Sequence, residues 1–177
     1  MAKTATSETY GALIEPATLK IERILPGPIE RIWAYLTESD MRRKWFAAGE
    51  MKLEAGASFE LVWRNHEFTD TPGQPPPGHP EENSKMCRII EVDAPRKLVF
   101  MFGEHGEVTF TLKPIGKNVL LTLVHARIPD RSTKLGVSAG WHAHLDVLVA
   151  RASGEKPEPF WDNWTRLKKE YEQRLPA

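Results

Sequence analysis

The amino-acid sequence predicts an α+β domain in which a curved antiparallel sheet wraps around a long C-terminal helix. Three observations predict this class. Strand-like segments follow one another through the middle of the chain, short turns join them, and helical periodicity dominates only after them. Parallel strands would need long crossover connections, so turns this short predict an antiparallel meander. With 177 residues, 41% of them hydrophobic and 27% charged, the chain fits a single domain.

The first quarter of the chain predicts an arm, a strand and two short helices. Residues 1–16 are assigned to a loose N-terminal arm. Residues 18–25 alternate apolar and polar side chains, as a strand does. A Pro-Gly-Pro sequence ends this strand, and its second proline suits the first turn of a helix over 29–36. A Ser-Asp pair then begins a second short helix over 39–46.

Six further strands are predicted between these helices and the C-terminal part of the chain. Turn-rich connections separate them. The first strand is cut off from the others by the two helices, so we expect it to rejoin the sheet beside the last strand. The six segments are 51–53, 59–64, 85–93, 98–102, 107–112 and 118–125.

A proline-rich segment interrupts the strands. Residues 69–84 contain five prolines, two glycines and almost no apolar side chains, so this segment predicts a long surface loop. Loops of this length in compact domains are either functional lids or mobile connections. The sequence leaves both open.

Two amphipathic helices complete the chain. In residues 132–152, apolar side chains recur at spacings of three and four, including Val137, Trp141 and Leu145. The apolar face of the sheet is the large surface against which this stripe can be buried. A bent sheet does not pack flush along a straight helix, which predicts a cavity between the two. An additional helix is predicted over 159–174.

The predicted elements resemble a known fold family. Segments 21–46, 89–102, 107–129 and 140–150 occur in the order found in the START-like, or Bet v 1-like (SRPBCC), superfamily. They are most similar to its bacterial branch, which resembles the C-terminal domain of the Hsp90 ATPase activator Aha1. The resemblance implies a helix-grip fold, in which seven antiparallel strands grip the C-terminal helix. It implies one START-like domain over 17–177, with loop 69–84 and helix 159–174 as additions.

Composition argues against two classes of partner. The 24 basic and 24 acidic residues cancel, whereas nucleic-acid binding proteins carry clustered positive charge. We therefore expect no nucleic-acid partner. No apolar run approaches the roughly 20 residues of a membrane-spanning helix, and the polar N-terminus does not resemble a signal peptide. These features predict no membrane insertion and a cytoplasmic location.

The sequence contains no recognisable cofactor or metal motif. It has no phosphate-binding loop, dinucleotide fingerprint or nucleophile elbow, so we expect no cofactor. His142 and His144 are two residues apart on a helix, which is the wrong spacing for a zinc pair, and no metal is expected. His142 and Asp146 could pair on the surface. The single cysteine, Cys87, is interpreted as a small buried hydrophobic residue.

The strongest functional signal is a set of bulky side chains on the predicted inward faces. They could line a pocket for a small, largely apolar ligand, or simply fill the core. His125 ends the last strand on an inward-facing position and is the one candidate for a general base. The alternative is a hydrogen-bonded core histidine. The predicted ligand-binding residues are Trp45, Phe59, Leu61, Trp63, Phe100, Phe110, Leu121, His125, Trp141 and Leu145.

Three functions follow from this interpretation. The leading hypothesis is a non-catalytic protein that binds a small hydrophobic molecule, with loop 69–84 over the entrance. The second, implied by the resemblance, is an enzyme of the polyketide cyclase/aromatase kind that uses His125. The third, also implied by the resemblance, is a module that contacts an Hsp90-type chaperone. Phe160, Trp161 and Trp164 could support a homodimer or cover one end of the sheet.

Overall fold

Seven strands of one antiparallel sheet and four α-helices make up the computed structural model, which describes residues 10–175. A short 3-10 helix, Asn65–Glu67, follows the third strand. The strands are β1 (Ala12–Glu15), β2 (Thr18–Pro26), β3 (Ser58–Trp63), β4 (Asn83–Asp93), β5 (Lys97–Met101), β6 (Glu107–Ile115) and β7 (Asn118–Ala126). The helices are α1 (Ile29–Thr37), α2 (Ser39–Arg42), α3 (Arg131–Ala152) and α4 (Phe160–Arg174). The predicted α+β helix-grip fold is confirmed.

The sheet has the strand order β1-β2-β7-β6-β5-β4-β3. Strands β3 to β7 form the predicted antiparallel meander. Strand β2 pairs with β7, with Leu19 opposite His125, so the expected return of the first long strand to the last is confirmed. This pairing places the end of β7, including His125, next to the start of β2.

Two predicted assignments within the sheet were wrong. Residues 12–15, assigned to a loose arm, form β1, which pairs with β2 through Leu13 and Leu19. The rest of that arm, residues 1–9, lies outside the described residues. Residues 51–53 form no strand, because the chain meets β3 only through an isolated bridge between Ala48 and Val62. The seventh strand of the sheet is therefore β1, at the edge beside β2.

Helix α2 is shorter than predicted and ends where Arg42 turns inward. The guanidinium group of Arg42 is buried and donates to the carbonyl oxygens of Leu36 (3.3 Å), Thr37 (3.2 Å) and Ala47 (3.0 Å). It also donates to the carbonyl oxygen of Gly49. One side chain thus fixes the chain on both sides of α2, which in turn positions Trp45 and Phe46.

Helix α3 is the helix that the sheet grips. Asp130 caps its N-terminus, accepting a hydrogen bond from the backbone N–H of Thr133 (2.7 Å). Trp141 and Leu145 are buried on its sheet-facing side. The ring of Trp141 lies 5.8 Å from that of Phe110 on β6, measured between centroids. The predicted apolar stripe of this helix is therefore a core element.

Helix α4 packs along α3 and encloses polar groups. Tyr171 accepts a hydrogen bond from the backbone N–H of Gly11 (2.7 Å), and its hydroxyl lies 2.9 Å from His142 Nδ1. His142 Nε2 lies 3.6 Å from Asp146 Oδ2. His142 and Asp146 therefore lie close together, as expected, but the expected surface location was wrong because α4 covers the histidine.

Two further findings concern residues 10–175 as a whole. No helix among them has the length and apolarity required to cross a membrane. No cluster of three or more His, Cys, Asp or Glu side chains within this range is arranged to hold a metal ion. Cys87 is buried, as predicted, and burial raises the pKa of its thiol to about 11, which disfavours the reactive thiolate form.

Candidate functional site

A cavity of about 210 Å³ lies between α3, the β3–β4 edge of the sheet and the end of the proline-rich loop. Gly136, Val137 and Gly140 line it from the helix, and His79 and Pro80 line it from the loop. The cavity is partly open to solvent. It occupies the predicted gap between the long helix and the sheet, displaced towards the edge at β3.

Four aromatic rings form a closed cycle along the wall of this cavity. Phe46 stacks on Trp141 (4.8 Å between centroids, 27° between planes) and meets Trp63 edge-on (5.2 Å, 85°). Phe102 closes the cycle, 5.8 Å from Trp63 and 5.9 Å from Trp141. All four rings line the cavity. Each ring is held by two others, so the cycle presents a preformed apolar surface.

The helix side of the cavity is bare because α3 carries two glycines there. Gly136 and Gly140 are four residues apart and therefore lie on the same face of α3. A Cβ atom at either position would meet no heavy atom within 4 Å. Glycine inside a helix costs about 1 kcal/mol relative to alanine. Two such residues therefore widen the cavity at the expense of helix stability.

A lysine supplies the positive charge of the cavity. Lys85 lies on β4, with its Nζ 2.5 Å from His105 Nδ1 and 4.8 Å from the centroid of the Phe102 ring. The ammonium group donates to the imidazole nitrogen and lies over the ring as in a cation–π contact. Burial lowers the pKa of Lys85, with Cys87 and Glu104 acting in the opposite direction.

His125 lies behind the aromatic cycle and is fully buried. Its Nδ1 accepts a hydrogen bond from Trp141 Nε1 (3.0 Å). Its Nε2 lies 2.6 Å from the carbonyl oxygen of His105 and must carry the proton, because a carbonyl only accepts. Burial lowers the pKa of His125 to about 4. Both ring nitrogens are thus engaged in holding Trp141 and the β5–β6 turn in place.

The residues around the cavity lie largely within the span of a known protein family. Residues 26–153 match the family described as Activator of Hsp90 ATPase homolog 1-like protein. The chain belongs to this family. The match confirms the resemblance that the sequence segments carry. Helix α4, β1 and all of β2 except its last residue lie outside the matched residues.

Several solved structures share the fold of the chain. The protein encoded by gene BPP1335 of Bordetella parapertussis is 34% identical, with a TM-score of 0.78 over 100% of this chain and 97% of that one. CalU16 of Micromonospora echinospora is 20% identical, with a TM-score of 0.67 over 90% of this chain and 89% of that one. DynU16, from the dynemicin biosynthetic locus, is 18% identical, with a TM-score of 0.62 over 81% of this chain and 49% of that one.

The likenesses to CalU16 and DynU16 show the fold alone. No curated protein matches the chain.

The structure separates the predicted site residues of this family member into two groups. Trp63 and Trp141 line the cavity. His125 does not line it but accepts a hydrogen bond from Trp141. The other predicted residues are buried in the core behind the cavity. They are Trp45, Phe59, Leu61, Phe100, Phe110, Leu121 and Leu145.

Several cavity residues were missed by sequence reasoning. Phe46 ends a predicted helix and is one of the bulky side chains on the predicted inward faces, but the predicted ligand-binding set omits it. Phe102 ends a predicted strand, where alternation no longer fixes the direction of a side chain. Lys85 begins a predicted strand, and nothing in the sequence around it predicts that its side chain faces a cavity. Gly136 and Gly140 did carry a usable signal, because paired glycines inside a long helix usually have a packing or functional reason.

Proposed function

We propose that the chain binds a small, largely apolar molecule in this cavity and performs no chemistry on it. The observation that carries the proposal is the closed cycle of Phe46, Trp63, Phe102 and Trp141 facing the bare helix surface at Gly136 and Gly140. Ligand sites are typically concave and apolar, with a few convergent polar groups. Here Lys85 and His144 are such groups.

The proline-rich loop forms part of the proposed binding site. His79 lines the cavity, and its ring lies 4.4 Å from that of Trp161 on α4. The backbone N–H of Trp161 donates to the carbonyl oxygen of Pro72 (2.9 Å). Helix α4 therefore anchors the loop whose end forms the rim of the cavity. This arrangement supports the hypothesis that the loop covers the entrance.

His125 is not placed to act as a general base. A general base needs a ring nitrogen that can reach the substrate, whereas both nitrogens of His125 are engaged with Trp141 and His105. The cyclase-like hypothesis stays a prediction that would need a different protic group. Contact with an Hsp90-type chaperone, a homodimer and a cytoplasmic location also stay predictions.

Filling the helix side of the cavity tests the proposed function. The probe is N-phenyl-1-naphthylamine, an uncharged compound that fluoresces in apolar surroundings. We expect Gly140→Leu to weaken its binding by about tenfold or more, because the leucine side chain would occupy the volume of the ligand. The free energy of unfolding should stay equal or rise by up to about 1 kcal/mol, because leucine favours helix more than glycine does. Fluorescence titration and urea unfolding measure the two quantities.

Ser132→Leu is the matched control for this experiment. It adds the same side chain to an exposed position on the same helix, outside the cavity, so its probe affinity should equal that of the wild type. If the wild-type chain fails to bind the probe, or if Gly140→Leu binds it unchanged, the proposed binding site is wrong.

A further inference from the structure

Lys85 is a cation that lines an apolar cavity and forms no ion pair with any of residues 10–175, although the charge of Glu104 acts on it from a distance. Its polar neighbour is the imidazole of His105, whose Nδ1 accepts from the ammonium, and its other contact is the ring of Phe102. The ion pairs of residues 10–175 are all formed by other side chains. Placing an ammonium in a partly buried, apolar site costs free energy unless a counter-charge compensates it. That cost is visible as a lowered pKa of Lys85.

The position of this charge also restricts what the aromatic cycle can bind. Electron-rich rings on their own could hold a ligand cation, but the Lys85 ammonium already lies over Phe102 at 4.8 Å and would repel one. Glu81 lines the same cavity from the loop and is exposed. A negative ligand group is therefore favoured at the Lys85 end of the cavity and disfavoured at the Glu81 end.

We infer that the ligand is an aromatic or similarly flat carboxylic acid whose carboxylate pairs with Lys85 Nζ while its apolar body lies against the four rings. This inference rests on the proposed function and specifies the chemical class of the ligand. A charge-assisted hydrogen bond from an ammonium to a carboxylate is about twice as strong as a neutral one. The carboxylate would supply the close counter-charge that no residue of 10–175 supplies, since Glu104 forms no ion pair with Lys85.

The test compares 2-naphthoate with its uncharged amide, 2-naphthamide, by isothermal titration calorimetry at pH 7.5. The two compounds share one ring system and differ in the charged group. We expect the wild-type chain to bind the carboxylate about tenfold tighter than the amide. Lys85→Met should remove this preference by weakening the carboxylate about tenfold, with the amide unchanged. Lys85→Arg, which keeps the charge, should retain part of the preference.

Lys113→Met is the matched control, because it removes the same charge from an exposed position on β6 outside the cavity. It should leave both affinities unchanged. Equal affinities in the wild type, or a preference that survives in Lys85→Met, would overturn the inference while leaving the proposed function in place. The wild-type comparison decides this even if a Lys85 variant folds poorly. If neither naphthyl compound nor N-phenyl-1-naphthylamine binds to the wild type, the proposed function itself fails.

Discussion

Replacing Arg42 with methionine is expected to lower the free energy of unfolding by about 4 kcal/mol. The guanidinium is 2% exposed and donates to four backbone carbonyls between Leu36 and Gly49. Burial lowers the pKa of Arg42 to about 10, partly offset by Glu50. Methionine preserves much of the volume but removes every donor. The carbonyl groups would then be buried without partners, which is the costly outcome for a polar group.

Two variants control for this result. Arg43→Met changes the neighbouring residue, whose ion pair with Glu67 (3.0 Å) is solvent-exposed, and should cost less than about 1 kcal/mol. Arg42→Lys keeps the charge but not the planar fork of donors, so it should recover only part of the loss. Urea unfolding at pH 7.5 measures all three. A loss below about 1 kcal/mol for Arg42→Met would mean that water or a local shift satisfies the carbonyls.

Arg42 also supports one wall of the cavity. The hydrogen bonds of Arg42 hold residues 43–49 against the end of α1. Residues 43–49 include both Trp45 and Phe46. Trp45 Nε1 donates to the carbonyl oxygen of Tyr35 (2.7 Å), and Phe46 belongs to the aromatic cycle. We therefore expect Arg42→Met to weaken binding of N-phenyl-1-naphthylamine as well, although Arg42 itself does not line the cavity.

The order of the strands was predictable from the sequence because their alternation and short turns are local signals. The pairing of β2 with β7 follows from the helices between β2 and the rest of the sheet. Strand β1 was missed because it spans only four residues, Ala12–Glu15, of which three are exposed and one is half-buried. Its position depends on contacts far along the chain, such as that of Gly11 with Tyr171.

The inward faces of the strands were also predictable, but the location of the empty space was not. Alternation placed Phe59 and Phe110 inside, and helical spacing did the same for Trp141, yet neither pattern distinguishes a filled core from a cavity wall. That distinction depends on which rings meet across the sequence. Phe46 and Phe102 are 56 positions apart and meet through Trp63 and Trp141. Arg42 was unpredictable for a similar reason, since a charged residue in a short helix is normally exposed.

Acidification is expected to unfold the chain in the range from pH 6.5 towards pH 4, because three buried histidines are neutral in the folded state. Burial lowers the pKa of His125 and of His144 to about 4, and that of His142 to about 3. In the unfolded chain each has a pKa near 6.5. Below that value the unfolded state binds more protons than the folded state, so stability falls as the pH falls.

The surroundings of each histidine explain why the folded state resists protonation. Burial is the largest effect on all three, and for His144 it outweighs the hydrogen bond from Nδ1 to the carbonyl oxygen of Trp45 (2.9 Å), which raises the pKa. The nearby charges of Lys85 on His125 and of Arg23 on His142 lower the pKa of those two histidines further. Asp146 acts in the opposite direction. Burial raises its pKa although Arg23 and Asn163 lower it, so its contribution partly offsets the effect of the histidines as the pH approaches 4.

The expected loss at pH 5 is about 2 kcal/mol for each histidine, or about 6 kcal/mol for the three, relative to pH 7.5. Total stabilities of about 5–15 kcal/mol are typical of domains, so this loss is enough to unfold a moderately stable one. Urea unfolding at half-unit steps between pH 7.5 and pH 5 measures the slope of the free energy of unfolding against pH.

His125→Gln, whose amide can both accept from Trp141 and donate to His105, should reduce that slope by about a third. His66→Gln, at an exposed position in the 3-10 helix, should leave it unchanged. A stability that does not vary over this range would show that the three histidines are not held neutral by the fold.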